Sequence, residues 1–314
     1  MPNILPYNDY SIAMRKRMGG RVQKLAIDAA LGCPNRDGTV GSGGCTFCIN
    51  EAFSPSYCRH ANSITEQLNQ ALDFHLHRGR SADYYLAYFQ SGTNTHATTD
   101  RLQRLYNEAL SHPKISGIVI GTRPDCIDSE KLELISDISH KHYVAVEYGI
   151  ESVYDATLQA VNRRHDFSTT KRAIADTKSL GIDVGGHLII GLPNESREQI
   201  INSITPLNEL GLDFIKFHQL QIYHSTPMAK QWLEHPEDFL FANGFNKEQY
   251  IELIIDIIRR LHPDTTIERF ASQAPRNLIL HSPLGGIRID TLRNDIVGRM
   301  HATDTKQGDL YLEK

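Results

Sequence analysis

The sequence predicts an α/β protein, a partial (β/α)6 barrel of the TIM type. Six short runs rich in Val, Ile, Tyr and Phe alternate with amphipathic helical stretches. Several of these runs are apolar almost throughout, which is typical of parallel strands buried on both faces. Strand–helix alternation implies right-handed crossovers between such strands. A barrel is favoured over a doubly wound sheet because the unusual polar segments follow the strands, where barrel sites are built.

Each element follows from its local pattern. The predicted strands cover 22–28, 84–89, 117–121, 143–149, 184–191 and 214–220. The predicted helices between them cover 64–76, 99–110, 129–140, 168–180 and 196–210. Ser129 is the expected N-cap of its helix, and Gly181 is the expected C-terminal stop of the next one. Pro206 is expected to interrupt the last helix, since proline lacks an amide hydrogen.

The C-terminal third has a different pattern. Residues 247–261 predict a strong amphipathic helix, and a short β-type run follows at 265–270. No composition shift or linker separates this part of the chain. We therefore expect residues 1–225 to form the barrel and residues 226–314 to form an α+β extension packed on it.

Composition narrows the class of protein. Hydrophobic residues make up 40% and charged residues 22%, as in ordinary globular chains. No apolar run approaches the roughly 20 residues that span a bilayer, and the first residues lack the order of a signal peptide. The five cysteines are too few, and odd in number, for a disulfide scaffold. We expect reduced thiols, a cytoplasmic location and no membrane partner.

The net charge of −4 gives the protein no general attraction to nucleic acid. One segment is locally basic despite that net charge. The basic side chains of this segment are Arg15, Lys16, Arg17, Arg21 and Lys24. Two interpretations apply, a solvated basic segment and an RNA-contacting patch, and the first is favoured.

The loop after the first strand, residues 29–50, is the main chemical feature. It carries Cys33, Cys45 and Cys48, separated by 11 and 2 residues, among five glycines. Glycine permits close backbone approach to a compact ligand. Thiolates are soft ligands that suit zinc or iron–sulfur clusters.

Spacing alone is compatible with two kinds of metal site. Three cysteines on a cubane cluster leave one iron without a protein ligand, and an open coordination position is typical of catalytic metals. The alternative is a non-catalytic binding module with a zinc staple, in which Cys58 or His60 is the fourth ligand.

The cysteine loop resembles a known family. Radical S-adenosylmethionine (SAM) enzymes carry a CxxxCxxC motif with an aromatic residue before the last cysteine, and here Phe47 precedes Cys48. The longer first gap in CPNRDGT…GGCTFC resembles the variant in the YhcC-like radical SAM family. That family is related to the catalytic subunit of Elongator and to oxygen-independent coproporphyrinogen oxidase. The resemblance covers nearly the whole chain.

The resemblance implies an enzyme with two cofactors. A [4Fe-4S] cluster on Cys33, Cys45 and Cys48 would bind SAM at its open iron. Reductive cleavage would give methionine and a 5′-deoxyadenosyl radical that abstracts hydrogen from a substrate. An external one-electron donor such as flavodoxin or ferredoxin is implied, and the Elongator relationship indicates an RNA base as substrate. Neither the oxidoreductase nor the transferase class is favoured.

SAM contacts are implied after the second strand. The family's usual Gly-Gly-Glu is absent there, and Gln90, Ser91, Gly92 and Thr93 stand in its place. Their backbone carbonyls are expected to hold the amino group of SAM. The competing interpretation is an ordinary strand-to-helix turn.

Further contacts are implied after the fourth strand and on the fifth. Glu151 is expected at the ribose and Arg163 at the SAM carboxylate, with Ser152 and Arg164 as neighbours that could exchange roles. A surface ion pair is the alternative. His187 occupies a position that contacts SAM in some relatives, where the residue is acidic, so a histidine satisfied within the core competes with that role.

Four residues near the predicted barrel mouth have open roles. His218 lies at the end of the sixth strand and Tyr223 and His224 follow it, and each either faces substrate or packs. Cys126 is either a thiol donor or an inert free thiol, and the inert thiol is favoured.

Overall fold

The main element of the fold is a curved sheet of seven parallel strands, in the order β1-β2-β3-β4-β5-β6-β8. The computed structural model describes residues 5–49, 54–61, 63–242 and 244–312, except for the side chains of residues 59 and 60. The strands of the sheet are β1 (Val22–Ile27), β2 (Tyr84–Phe89), β3 (Ile115–Thr122), β4 (Tyr143–Glu151), β5 (Asp183–Ile190), β6 (Phe214–Gln219) and β8 (Thr266–Arg269). The two remaining strands, β7 (Ile222–Tyr223) and β9 (Ile279–His281), form an antiparallel pair.

The predicted partial barrel is confirmed, with one addition. All six predicted strands are present, and β8 pairs in parallel with β6 as a seventh. Because β8 lies in the segment predicted as an extension, both predicted parts of the chain contribute to the barrel sheet.

Helices connect the strands and cover the outside of the sheet. They are α1 (Tyr10–Met18), α2 (Ile64–Leu76), α3 (Thr99–Leu110), α4 (Ser129–Ser139), α5 (Asp155–Ala160), α6 (Phe167–Ser179), α7 (Arg197–Asn202), α8 (Ile204–Asn208), α9 (Pro227–Glu234), α10 (Lys247–Arg260) and α11 (Ile289–Ala302). No helix within the described ranges is long and apolar enough to cross a membrane.

Two helix boundaries refine the sequence predictions. The N-cap of α4 is Asp128, not Ser129, because the Asp128 carboxylate accepts a hydrogen bond from the Lys131 amide. The predicted helix over 196–210 is split at Ser203 into α7 and α8. Pro206 explains the split, since its ring would clash with the carbonyl of Asn202 in a continuous helix.

Helix α1 packs on the sheet at the amino ends of the strands. Its Tyr10 and Met14 pack against strand residues that include Leu86 and Phe214. Arg17 in this helix pairs with Asp183, the first residue of β5. The basic segment therefore lies at the opposite end of the barrel from the cysteine loop, which follows β1.

The favoured interpretation, a solvated basic segment, is wrong for Lys24. Lys24 points into the barrel, where it pairs with Glu147 and Glu268 at 2.8 Å and 2.5 Å. Its position inside β1 explains this, because alternate strand residues face the interior.

Candidate functional site

A cavity lies at the carboxyl ends of the strands, where the cysteine loop meets the sheet. Nine of the ten residues predicted to bind the cluster or SAM line it: Cys33, Cys45, Cys48, Gln90, Gly92, Thr93, Glu151, Arg163 and His187. The tenth, Ser91, is buried outside the lining, and its Oγ has no hydrogen-bond partner among the described residues. Parallel strands bring these residues together because their carboxyl ends meet at one edge of the sheet.

The cysteine loop is held by backbone hydrogen bonds to the segments after β2 and β4. The Thr93 amide donates to the Gly32 carbonyl at 2.9 Å, and the Thr46 amide donates to the Val161 carbonyl at 3.0 Å. Asn162 Nδ2 adds a bond to the Gly44 carbonyl at 2.7 Å. The positions of the cysteines therefore depend on neighbouring strand ends as well as on the loop itself.

Gly92 allows the closest of these approaches. Its φ is +75°, and a Cβ placed there would lie 2.6 Å from the Gly32 carbonyl oxygen. Both the left-handed backbone and the short contact exclude a larger residue.

Arg163 connects the cysteine loop to the end of β4. Its Nη2 donates to the Gly149 carbonyl at 2.6 Å, and its Nη1 donates to Cys45 Sγ at 3.6 Å. The Glu151 carboxylate lies 3.7 Å from Nη2. Arg163 Nε is buried and has no hydrogen-bond partner among the described residues. This guanidinium thus has donor capacity left beside the cysteines.

Glu151 is held in an unusual backbone conformation. Its φ is +65°, which is rare for a residue with a side chain and is common at functional sites. A register shift in the β4–β5 pairing falls at the same place, between Gly149 and Glu151.

Ser152 and Arg164, the neighbours that could exchange roles with Glu151 and Arg163, do not line the cavity. Ser152 is buried and donates from its Oγ to Glu195 at 2.5 Å. Arg164 is exposed on the protein surface. The structure therefore separates both from the group around Arg163.

Deeper in the barrel lies a set of charged residues that the sequence analysis missed. Glu147 is fully buried and lies 2.8 Å from Lys24 and 2.6 Å from Lys216. It also accepts a hydrogen bond from the Tyr88 hydroxyl at 2.6 Å. Glu268 contacts the same two lysines at 2.5 Å and 3.2 Å. We call these five residues the inner network.

The lysines determine the charge of Glu147. Burial alone would raise its pKa, but Lys216, Lys24 and the hydrogen bond to His187 outweigh burial and hold the pKa well below the usual range. The available sequence signal was a lone charged residue inside an apolar run, such as Lys216 in FIKFHQ, and Glu268 has no such run around it.

His187 connects the inner network to the cavity. Its Nε2 lies 2.8 Å from the Glu147 carboxylate, and its ring stacks on His218 with 5.2 Å between centroids. The competing interpretation, a histidine satisfied by core partners, fits this geometry. Its contact to SAM remains a prediction.

Comparison with known proteins identifies the family. Residues 31–205 match the Radical SAM superfamily, and residues 212–300 match the Radical_SAM C-terminal domain. The chain belongs to the radical SAM superfamily. It is accordingly a radical SAM enzyme, and the resemblance seen in the cysteine loop is confirmed.

Two relatives and one solved structure illustrate the relationship. Protein YhcC of Escherichia coli K12 is 35% identical over 268 residues, covering 85% of this chain and 84% of YhcC. YtqA of Bacillus subtilis is 32% identical over 274 residues, covering 87% of this chain and 83% of YtqA. The archaeal Methanocaldococcus infernus Elp3 structure, with an N-terminal deletion, aligns with a TM-score of 0.70 at 15% identity. The alignment covers 91% of this chain and 64% of that chain, and it shows a shared fold.

Two further thiols of this radical SAM chain lie outside the cavity lining. Cys58 Sγ donates to the Ala26 carbonyl at 3.8 Å, and Cys126 Sγ donates to Asp125 at 3.7 Å. Burial raises the pKa of each thiol to about 12, so both are protonated at neutral pH. The structure therefore does not bring Cys58 to the other three cysteines. The side chain of His60, the other alternative ligand, lies outside the described part of the chain.

Of the residues predicted near the barrel mouth at the end of β6 and after it, some line the cavity and others lie at the surface. His218 and Tyr223 line the cavity, and the Tyr223 hydroxyl donates to Gln221 Oε1 at 3.0 Å. His224 is exposed and does not line the cavity. His218 and Tyr223 therefore remain candidates for contact with substrate.

Proposed function

We propose that this radical SAM enzyme binds a [4Fe-4S] cluster through Cys33, Cys45 and Cys48 and cleaves SAM reductively at it. The observation that carries the proposal is the shared cavity, which the three cysteines line together with the residues expected to hold SAM. Members of the superfamily normally use both cofactors.

The donor set in the cavity fits these groups. Three thiols from one loop suit an iron–sulfur cluster, and Asn35 Nδ2 and Arg163 Nη1 donate to Cys45 Sγ at 3.7 Å and 3.6 Å. Such hydrogen bonds to sulfur tune the potential of a cluster. The unpartnered Arg163 Nε leaves donor capacity for a carboxylate.

Bound together, the cluster and SAM would supply one-electron cleavage to methionine and a 5′-deoxyadenosyl radical that abstracts hydrogen from substrate. The chain's own residues would bind SAM and orient it. Arg163 would pair with the SAM carboxylate, and Glu151 would accept from the ribose hydroxyls. Backbone carbonyls of residues 90–93 would accept from the amino group.

The hydrogen bond between His187 and Glu147 restricts how His187 would contact SAM. Because Glu147 holds its Nε2, a contact to SAM would use the other ring nitrogen or the ring face. Phe47, which lines the cavity beside Cys48, would limit water near the cluster.

The reaction consumes one electron, so we propose an external donor such as flavodoxin or ferredoxin. An RNA base is the candidate substrate. Its support is the likeness to human Elongator complex protein 3, which is 23% identical over 221 residues, covering 69% of this chain and 38% of that protein. The basic segment adds no support, since it lies at the opposite end of the barrel.

The test begins with metal content. Protein purified without oxygen should contain about four irons and four sulfides per chain, and it should form deoxyadenosine when SAM and a strong reductant are added. Cys48→Ala should lose most of the iron and lower the deoxyadenosine yield at least about 100-fold, a loss of roughly 2.7 kcal/mol or more of transition-state stabilisation.

Cys58→Ala is the matched control, because this thiol donates to a backbone carbonyl outside the cavity lining. It should keep wild-type iron and activity. One zinc per chain, lost in Cys58→Ala, with no iron after anaerobic reconstitution, would instead establish the zinc-stapled binding module.

A further inference from the structure

The interior of the barrel carries more cations than anions. The charged groups that meet there are three cations, Lys24, Lys216 and Arg269, and two carboxylates, Glu147 and Glu268. The sum is one positive charge, and both carboxylates are already engaged by the two lysines. The charge of Arg269 is therefore left without a dedicated partner.

A β-bulge directs Arg269 into the cavity. In the β6–β8 pairing, Ile215 is opposite Ile267 and Lys216 is opposite Arg269, so Glu268 is the extra residue on β8. A bulge re-aims neighbouring side chains, and bulges are frequent beside active sites. Here it lets two consecutive side chains act inside the barrel, since Glu268 contacts the lysines while Arg269 lines the cavity.

The guanidinium of Arg269 is unusually free for an interior group. Its one ion pair among the described residues is 3.9 Å long, from Nη2 to Glu268 Oε1, and no hydrogen bond from it is found there. Its side chain is 30% exposed, so a ligand in the cavity can reach it. Five donors in a planar fork match a carboxylate or a phosphate.

His218 adds a second unsatisfied group to the same cavity. Its Nε2 is buried and has no hydrogen-bond partner within the described residues. Burial, followed by the neighbouring His187 and Arg269, holds its pKa well below the usual range. A neutral imidazole can offer one donor to a ligand without another buried charge.

We propose that Arg269 and His218 form a subsite for an oxyanion, a carboxylate or a phosphate, carried by the substrate. The inference rests on the proposed function for its reaction and names the substrate class of that site. It is separate from the SAM carboxylate, which is assigned to Arg163 beside the cysteines. Arg269 belongs to β8, an edge strand of the sheet, whereas Arg163 follows β4 in the middle of it.

Anion titration of the reconstituted, SAM-loaded enzyme tests the subsite. Inorganic phosphate and succinate are the probes, and binding is followed by calorimetry. Wild type should bind at least one of them saturably. Arg269→Gln should weaken that binding roughly 10–100-fold, as expected for a charge-assisted hydrogen-bond pair, and His218→Gln roughly 3–10-fold.

The matched control is Arg288→Gln, whose side chain is 79% exposed and belongs to the same C-terminal segment. It should bind the anion as wild type does. If Arg269→Gln fails to fold, Arg269→Lys replaces it, and loss of the planar fork should still weaken binding several-fold.

The outcomes distinguish a phosphate from a carboxylate on the substrate, and two of them overturn the subsite. Binding of phosphate alone identifies a phosphorylated substrate, and binding of succinate alone identifies a carboxylate. Equal affinity in wild type and the Arg269 variants, or no saturable binding to wild type, overturns the subsite. Iron content and deoxyadenosine yield are measured on the same wild-type preparation, so a failure of the proposed function is seen separately.

Discussion

The mouth of the cavity and the inner network are both rich in polar groups, yet they are built in opposite ways. At the mouth, polar atoms such as Arg163 Nε have no hydrogen-bond partner among the described residues. In the inner network, strand residues pair with one another, and Glu147 alone contacts two lysines and a tyrosine. The contrast indicates that the mouth is built to bind a ligand, whereas the network is satisfied by the protein itself.

If this contrast holds, removing charge from the network should mainly reduce stability. Glu147→Gln leaves Lys24 and Lys216 with an uncharged partner in a buried site. Breaking such a pair costs about 3–5 kcal/mol of unfolding free energy, which urea titration would measure. Glu234→Gln, an exposed control, should stay within about 0.5 kcal/mol of wild type.

The pH dependence of unfolding in wild type and in Glu147→Gln tests the same ion pairs. Since the folded pKa of Glu147 is lowered, its contribution is present above the unfolded pKa and is lost as pH falls through the folded value. Wild-type stability should therefore fall on acidification below about pH 4.5, while Glu147→Gln lacks this component. A stability difference that stays constant from pH 7 to pH 3 would contradict the assigned ion pairs.

The contact between the cysteine loop and the turn after β2 allows a stability test at the mouth of the cavity. Gly92→Ala combines a left-handed φ with a 2.6 Å clash, and Gly19→Ala has a similar φ of +80° with nothing within 4 Å. We expect a loss of about 2–4 kcal/mol for Gly92→Ala and about 1–2 kcal/mol for Gly19→Ala. Equal losses in urea titration would show that the short contact carries no cost.

Apart from the exposed controls, the smallest stability effect is expected at Arg163. Arg163→Gln should cost about 1–3 kcal/mol of unfolding free energy and weaken SAM binding roughly 10–100-fold, because the SAM carboxylate loses its charged partner. Arg164→Gln is the control, since this neighbour is exposed and outside the cavity lining. Calorimetric SAM affinities that fall equally in both variants would contradict the role assigned to Arg163.

The sequence predicted the mouth better than the network for a physical reason. Cysteines, glycines and polar residues cluster within the loop at 29–50, so their spacing is visible along the chain. Lys24, Glu147 and Glu268 are far apart in sequence and meet only because the sheet curves. Lys24 and Glu147 are each a single charge in a mostly apolar run, and Glu268 stands beside Arg269 in a run too short to show the pattern.

The strands themselves were readily predicted, since burial on both faces leaves a nearly continuous apolar run. The exception was β8, whose four residues TIER show too little of that pattern to be assigned to the barrel. The side-chain orientations that distinguish Glu151 from Ser152 and Arg163 from Arg164 also need the backbone, because adjacent residues face different surroundings.

The late position of β8 has a consequence for how the chain is made. A ribosome releases the first six strands, with both interior lysines and Glu147, before Glu268 is synthesised. Until then β6 is an open sheet edge, and two lysines share a single carboxylate. Completion of the barrel must therefore await the synthesis of β8, so a nascent chain that stalls before residue 268 would expose the edge of β6 to chaperones and to other chains.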